Sequence, residues 1–201
     1  SKHDVFRPSE VRRMLESLGV SPRKSLGQNF LVDRNVAERI LEAAEVCRSD
    51  HVLEIGPGLG ALTVGLLEQA KLVVAVEFDD RLFGHLVERF RGSERLRLIH
   101  ADVLKCDLNE LLQEQGAAIN KVVANLPYAT GSRILVNLLR ARRIPDAITI
   151  TVQREVAHRL VAMPGGKDYG LLGVWVHRLY DAAVTRTVSA RCFWPEPEVT
   201  S

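Results

Sequence analysis

Between residues 51 and 153, short apolar runs alternate with amphipathic stretches in strict order. HVLEIG (51–56), LVVAVE (72–77), LRLIHAD (96–102), KVVANL (121–126) and AITITVQ (147–153) are too short and too continuously apolar for amphipathic helices, and read as buried strands. The segments between them carry apolar residues at helical spacing. Strands joined by helical crossovers pair in parallel, and a parallel sheet must be covered on both faces. The pattern therefore predicts an α/β fold, a doubly wound and mostly parallel sheet. Upstream, SEVRRMLESLGV predicts a short helix with Ser9 as N-cap and Gly19 as its stop, and RNVAERILEAAEV one capped by Asp33. Downstream, a helix over REVAHRLVAM ends at Pro164-Gly165-Gly166. LLGVWVHRLY reads as helix on its length, and AVTRTVSA (183–190) as a sixth strand.

A chain of 201 residues, 46% hydrophobic, suffices for one well-cored domain. No apolar run approaches the ~20 residues of a membrane helix, so no membrane association is expected. The first 20 residues show no apolar signal-peptide core. Cys47, Cys106 and Cys192 are odd in number and widely spaced, and none of the six histidines has ligand spacing. Neither a disulfide framework nor a metal is expected, and a reducing cytoplasm fits. The net charge of +2 is unevenly spread: residues 1–39 carry +3, 40–132 carry −5 and 133–201 carry +4. Arg23, Lys24, Arg140, Arg142, Arg143, Arg154 and Arg159 are candidate contacts to an RNA backbone, or simply solvated charges.

In an open parallel sheet, ligands bind at the carboxyl ends of the strands. The first such end carries EIGPGLG (54–60), where Gly56 and Gly58 let the backbone approach a ligand. The next carries Glu77, placed to accept both hydroxyl hydrogens of a ribose, and the third Asp102, able to accept from an adenine amino group. Together they predict a cofactor containing adenosine. The spacing G-x-G-x-G, with Pro57 inside and Glu54 before it, resembles the first motif of S-adenosyl-L-methionine-dependent methyltransferases, whose anion is only a carboxylate. NAD is the alternative, but nothing else in the chain supports hydride chemistry.

The fourth strand end is Asn125-Leu126-Pro127-Tyr128. The N6 amine of adenine is a poor nucleophile because its lone pair is delocalised into the ring. The Asn125 side-chain oxygen and the Leu126 carbonyl, aimed by Pro127, can accept its two hydrogens and bind it better as positive charge develops. Tyr128 can stack on the base. The other reading of this tetrapeptide is a β-turn.

With EIGPGLG, Glu77 and Asp102, the NLPY turn resembles the ribosomal RNA adenine N6,N6-dimethyltransferases. SLGQNFLVD (25–33), QREVAHRLVA (153–162), DYGLLGVW (168–175) and FWPEPEV (193–199) extend the resemblance from about Pro22 to the end of the chain. It implies that Gln28, Asn29 and Leu31 join Gly56, Gly58, Glu77, Asp102 and Asn125 at the cofactor, and that Asn125 to Tyr128 hold the target adenine. It also implies that Phe193 faces Tyr128 across the base. The implied substrate is a pair of adjacent adenosines near the 3′ end of small-subunit ribosomal RNA, in a pre-ribosomal particle, with the enzyme a monomer. Related enzymes methylate a large-subunit adenosine and confer antibiotic resistance. A non-catalytic assembly or transcription factor on the same fold is the third possibility. The family continues into a seventh strand and a helical C-terminal domain. Residues 1–201 are therefore expected to be the catalytic domain alone, its first 33 residues a helix and a basic loop over the cofactor, with weakened ribosome affinity.

Overall fold

The computed structural model describes residues 5–22, 28–113 and 118–197. Five parallel strands form the central sheet: β2 (His51–Ile55), β3 (Leu72–Glu77), β4 (Leu96–His100), β5 (Lys121–Asn125) and β6 (Ala147–Thr151). Their spatial order is β4-β3-β2-β5-β6. The chain thus winds outward from β2 in one direction, then returns and winds outward in the other. The switch falls between β2 and β5, where a ligand crevice is expected. Helices α3 (Ala61–Gln69), α4 (Asp80–Arg89), α5 (Leu108–Leu111), α6 (Gly131–Leu139) and α7 (Arg154–Val161) follow β2 to β6 in turn, and α8 (Leu171–Leu179) packs against α6 and α7.

Alternation within each strand divides the core. Leu53, Ile55, Val74 and Val122 point to one face, against Leu111, Ile134 and Leu138. Val52, Val73 and Val123 point to the other, against Leu41 of α2 (Arg34–Ala44) and Leu66 of α3. Strands so buried on both sides explain the apolar runs in the sequence. Asp33 caps α2 as expected, its Oδ1 accepting from the Val36 N–H at 3.0 Å. Across the amino-terminal rim, Lys121 Nζ donates to the carbonyls of Ala44 and Glu45 and lies 3.2 Å from Asp50.

The sequence reading needs two corrections. In α1 (Pro8–Ser17) the N-cap is Arg7, not Ser9. Pro8, with no N–H to lose and its φ already helical, takes the first helical position and moves the boundary back. Gly19 does end the helix, at φ +64°. The expected strand over 183–190 is irregular backbone up to Ser189, followed by a 3-10 turn, Ala190–Cys192. Its β-branched residues suit a strand, but no ladder forms there among the described residues. Among the described residues β6 is the outermost strand on that side of the sheet. A second, antiparallel pair joins β1 (Phe30–Leu31) to β7 (Phe193–Trp194).

Candidate active site

The glycine turn is built by its own backbone bonds. The Gly56 N–H donates to Val76 O at 2.9 Å and the Gly60 N–H to Pro57 O at 2.8 Å. Gly56 sits at φ +68°, and a Cβ there would meet nothing within 4 Å. The missing side chain is thus part of the cavity's open space. Gly58, at φ +59°, is required for a second reason: a Cβ would come within 3.3 Å of the Phe30 ring. The N-terminal segment therefore closes directly over the glycine turn.

Glu77 ends β3 with its carboxylate already oriented. One oxygen accepts from the Gly58 N–H at 3.0 Å, the other from the Asp79 N–H at 2.9 Å. Burial pushes this carboxyl above its usual range, against the pull of those two N–H donors. Each oxygen keeps a lone pair for a ligand hydroxyl. Asp102 lies two residues beyond β4, held by the Leu104 N–H at 3.0 Å.

The NLPY turn shows why its residue types are needed. Asn125 is the last residue of β5, and the Leu126 N–H donates to Thr151 O of β6 at 3.1 Å. Leu126 is buried and anchors the turn. Pro127 O accepts from Thr130 and Gly131, which starts α6. Gly131 cannot be larger without crowding: a Cβ there would lie 3.1 Å from Leu126 Cβ. These turn bonds do not use the Leu126 carbonyl. The Asn125 amide is oriented by Asn29, whose carbonyl accepts from Asn125 Nδ2 at 3.0 Å. A carbonyl can only accept, so the nitrogen must face Asn29 and Oδ1 is left as an acceptor for a ligand.

One cavity brings these parts together. Gly56, Gly58, Glu77 and Asp102 line it with Asn125, Leu126, Pro127 and Tyr128, and Gln28, Asn29 and Leu31 form its N-terminal wall. Phe193 is not brought to that wall. It is 3% exposed, packed in the core with Leu31, Ala37 and Leu62. Arg140, Arg142 and Arg143 follow α6 at the opposite rim, whereas Arg154 starts α7 beyond the carboxyl end of β6, and Arg159 pairs with Glu155. Arg23 and Lys24 lie outside the described residues.

The sequence does not single out the other residues of the cavity wall as contacts, although Phe30 and Glu54 lie within the SLGQNFLVD and EIGPGLG motifs. Phe30, Phe78, Val103 and Ile134 line it as well. Phe78 directly follows Glu77 in sequence, and the structure leaves it 50% exposed. Glu54 is the most informative. It lines the cavity at 1% exposure, and accepts from Thr63 Oγ1 at 2.7 Å. Burial pushes its carboxyl up to about 8; the Thr63 hydroxyl opposes this and nearby Glu77 adds to it. A carboxyl whose folded-state pKa lies above its unfolded value stabilises the fold less as pH rises through that window. Stability should therefore fall as pH rises between about pH 4.5 and 8 from this group. Glu54→Gln should remove that component. Chemical denaturation of both proteins across this range tests it, and parallel curves would refute the assignment.

A parallel sheet whose successive strand ends bring a glycine turn, two acids and an amide to one cavity defines an S-adenosyl-L-methionine-dependent methyltransferase. The fit rests on this chain's own geometry: open space at Gly56, a buried carboxylate with both oxygens oriented, and apolar wall residues that include Val103. The ribosomal RNA adenine dimethylase family model matches residues 19–201, and the chain belongs to that family. It is 44% identical to ribosomal RNA small subunit methyltransferase A of Moorella thermoacetica, over 98% of this chain and 70% of that protein. The same enzyme of Geobacillus thermodenitrificans is 42% identical, over 98% and 68%. Among solved structures, a dimethyladenosine transferase from Plasmodium falciparum superposes with a TM-score of 0.73 at 28% identity, covering 83% of this chain and 58% of that one. The 23S rRNA methyltransferase ErmE superposes with a TM-score of 0.72 at 31% identity, covering 86% and 66%. The chain thus spans under two thirds of the length of those two structures.

Proposed function

We propose that the chain dimethylates N6 of two adjacent adenosines near the 3′ end of small-subunit ribosomal RNA, acting as a cytoplasmic monomer on a pre-ribosomal particle. The observation that carries this reading is the fixed Asn125 amide, with its acceptor oxygen available at the cavity where the glycine turn and Glu77 also converge. The cofactor supplies a methyl group on a sulfonium, ready for in-line displacement. The chain then has to hold an adenine N6 in line and favour the charge that develops on it. Asn125 Oδ1 and Leu126 O accept the two N6 hydrogens, Tyr128 stacks on the base, and the proton leaves N6 for solvent. An unpaired base suits this site because it costs little to extrude. Gln28, Asn29, Leu31, Gly56, Gly58, Glu77 and Asp102 hold the cofactor. Phe193 enters base stacking only if its ring leaves the core, so its part in the reading is the support of β1.

The likeness to ErmE makes a large-subunit adenosine the second reading. Mass mapping of methyl groups on small- and large-subunit precursors, incubated with the protein and labelled cofactor, separates the two. Two methyls on each of two neighbouring small-subunit adenosines are expected. Modification confined to large-subunit RNA would replace this reading with the second.

A further inference from the structure

We propose that the exposed face of α6, with the loop after it, is a docking stripe for the RNA phosphate backbone, running from the cavity to the opposite rim of the sheet. This rests on the reading of the chain as an RNA methyltransferase. From residue 118 to residue 145 there is no aspartate or glutamate, while Lys121, Arg133, Arg140, Arg142 and Arg143 are basic. Lys121 is engaged at the amino-terminal rim. The four arginines are all exposed.

Their placement follows from the helix. Arg133 and Arg140 are seven residues apart, two turns, so they share one face about 10 Å apart along the axis. Thr130 and Ile134, on either side of Arg133, line the cavity. At the far end, the Arg142 N–H donates to Asn109 Oδ1 at 2.8 Å and the Asp146 N–H to Asn120 O at 2.7 Å. These bonds fix the loop at the rim where β5 begins. The stripe therefore starts beside the substrate turn and ends about one strand length away, at the amino-terminal rim.

Their position in one acid-free run selects these four. Arg39 and Arg154 are likewise exposed with no ion pair among the described residues, but they have acids close by in sequence, whereas several other surface arginines pair with carboxylates. Arg12 pairs with Glu16, Arg13 with Glu10, Arg91 with Glu88 and Arg159 with Glu155. No ion pair of Arg133, Arg140, Arg142 or Arg143 is recorded among the described residues. Asp107 lies close enough to Arg142 to feel its charge, but its Oδ1 already accepts from the Asn109 N–H at 2.8 Å. A row of guanidinium groups with no carboxylate at ion-pair distance among the described residues is complementary to a row of phosphates, and arginine binds these bidentately. Because the row reaches the rim opposite the cavity, it suits a substrate far larger than a hairpin tip.

The test compares the arginine-to-glutamine triple variant at 140, 142 and 143 with a charge-matched control at 12, 13 and 91. Binding of a labelled small-subunit 3′-terminal RNA hairpin, and of precursor particles, is measured against salt. Each lost phosphate contact should reduce the slope of log K against log salt by about 0.7–0.9, so the stripe variant should lose roughly 2–3 and the control nothing. Particle KM should rise at least tenfold with kcat held, calorimetric cofactor affinity should not change, and lysine at the three positions should restore the slope. Equal slopes for the two glutamine variants, or no rescue by lysine, would overturn the stripe while leaving methylation intact. An unmodified protein that neither binds nor methylates the particles would overturn the functional reading, and the stripe with it.

Discussion

Replacing Asn125 by alanine is expected to lower turnover by about 100-fold or more, while cofactor affinity changes far less. The size follows from the kind of interaction removed. An acceptor that meets charge developing only in the transition state acts on kcat, and losing one such partner typically costs 10²–10³ in rate. The amide also gives up its bond to Asn29 O at 3.0 Å. A single neutral hydrogen bond is worth about 1 kcal/mol, so the fold should survive and the defect should not come from unfolding. Asn125→Asp separates the two roles of the side chain. The carboxylate still accepts from an amine but cannot donate to Asn29, so its rate should fall between those of wild type and Asn125→Ala. Single-turnover methylation of precursor RNA, with calorimetric cofactor binding beside it, measures both quantities. A near-normal rate for Asn125→Ala would remove the residue from the chemistry.

The parts of this site that were legible in the sequence are those fixed by local pattern. Gly56, Glu77, Asp102 and Asn125 each sit at or just past a strand end. Once the βαβ alternation is recognised, topology alone places strand ends together. What local pattern cannot reveal is how distant segments orient these groups. The bond from Asn125 to Asn29 O crosses 96 positions, and the close approach of Phe30 to the Gly58 turn is non-local as well. Each needs the N-terminal segment docked, which depends on the β1–β7 pair and so on residues near the other end of the chain. The same limit explains the segment at 183–190. Val184, Thr185, Thr187 and Val188 have strand propensity, but a strand is stabilised by its ladder, and propensity names no partner. Phe193 illustrates a related gap. An aromatic in a proline-rich stretch gives no sign of whether it faces a ligand or the core, and here it packs with Leu31 beneath the cavity wall.

The second large effect is on stability, at the rim far from the chemistry. Lys121→Met should destabilise the fold by roughly 3–5 kcal/mol, the usual cost of removing one partner from a buried ion pair. Its ammonium is shared between Asp50, at 3.2 Å, and the carbonyls of Ala44 and Glu45 that end α2. Both charged side chains are largely buried, 16% and 6% exposed. Methionine fills most of the space but leaves two helix-end carbonyls without this donor and a carboxylate with less compensation. Asp50 is held low, at about 2. Burial alone would raise it, but the Asn120 side chain, the Cys47 N–H and Lys121 outweigh that effect. A depressed carboxylate stabilises the fold above its unfolded pKa, and this contribution disappears as pH falls through the folded value. The wild-type protein should therefore lose stability between about pH 4 and pH 2 partly through Asp50, and the variant less steeply. Urea titrations at neutral and acid pH read both effects. Because α2 packs against α3, directly behind the glycine turn, a weakened rim should also loosen cofactor binding without changing the single-turnover rate at saturating cofactor. A variant as stable as wild type at neutral pH would show that the lysine is merely a surface charge reaching inward.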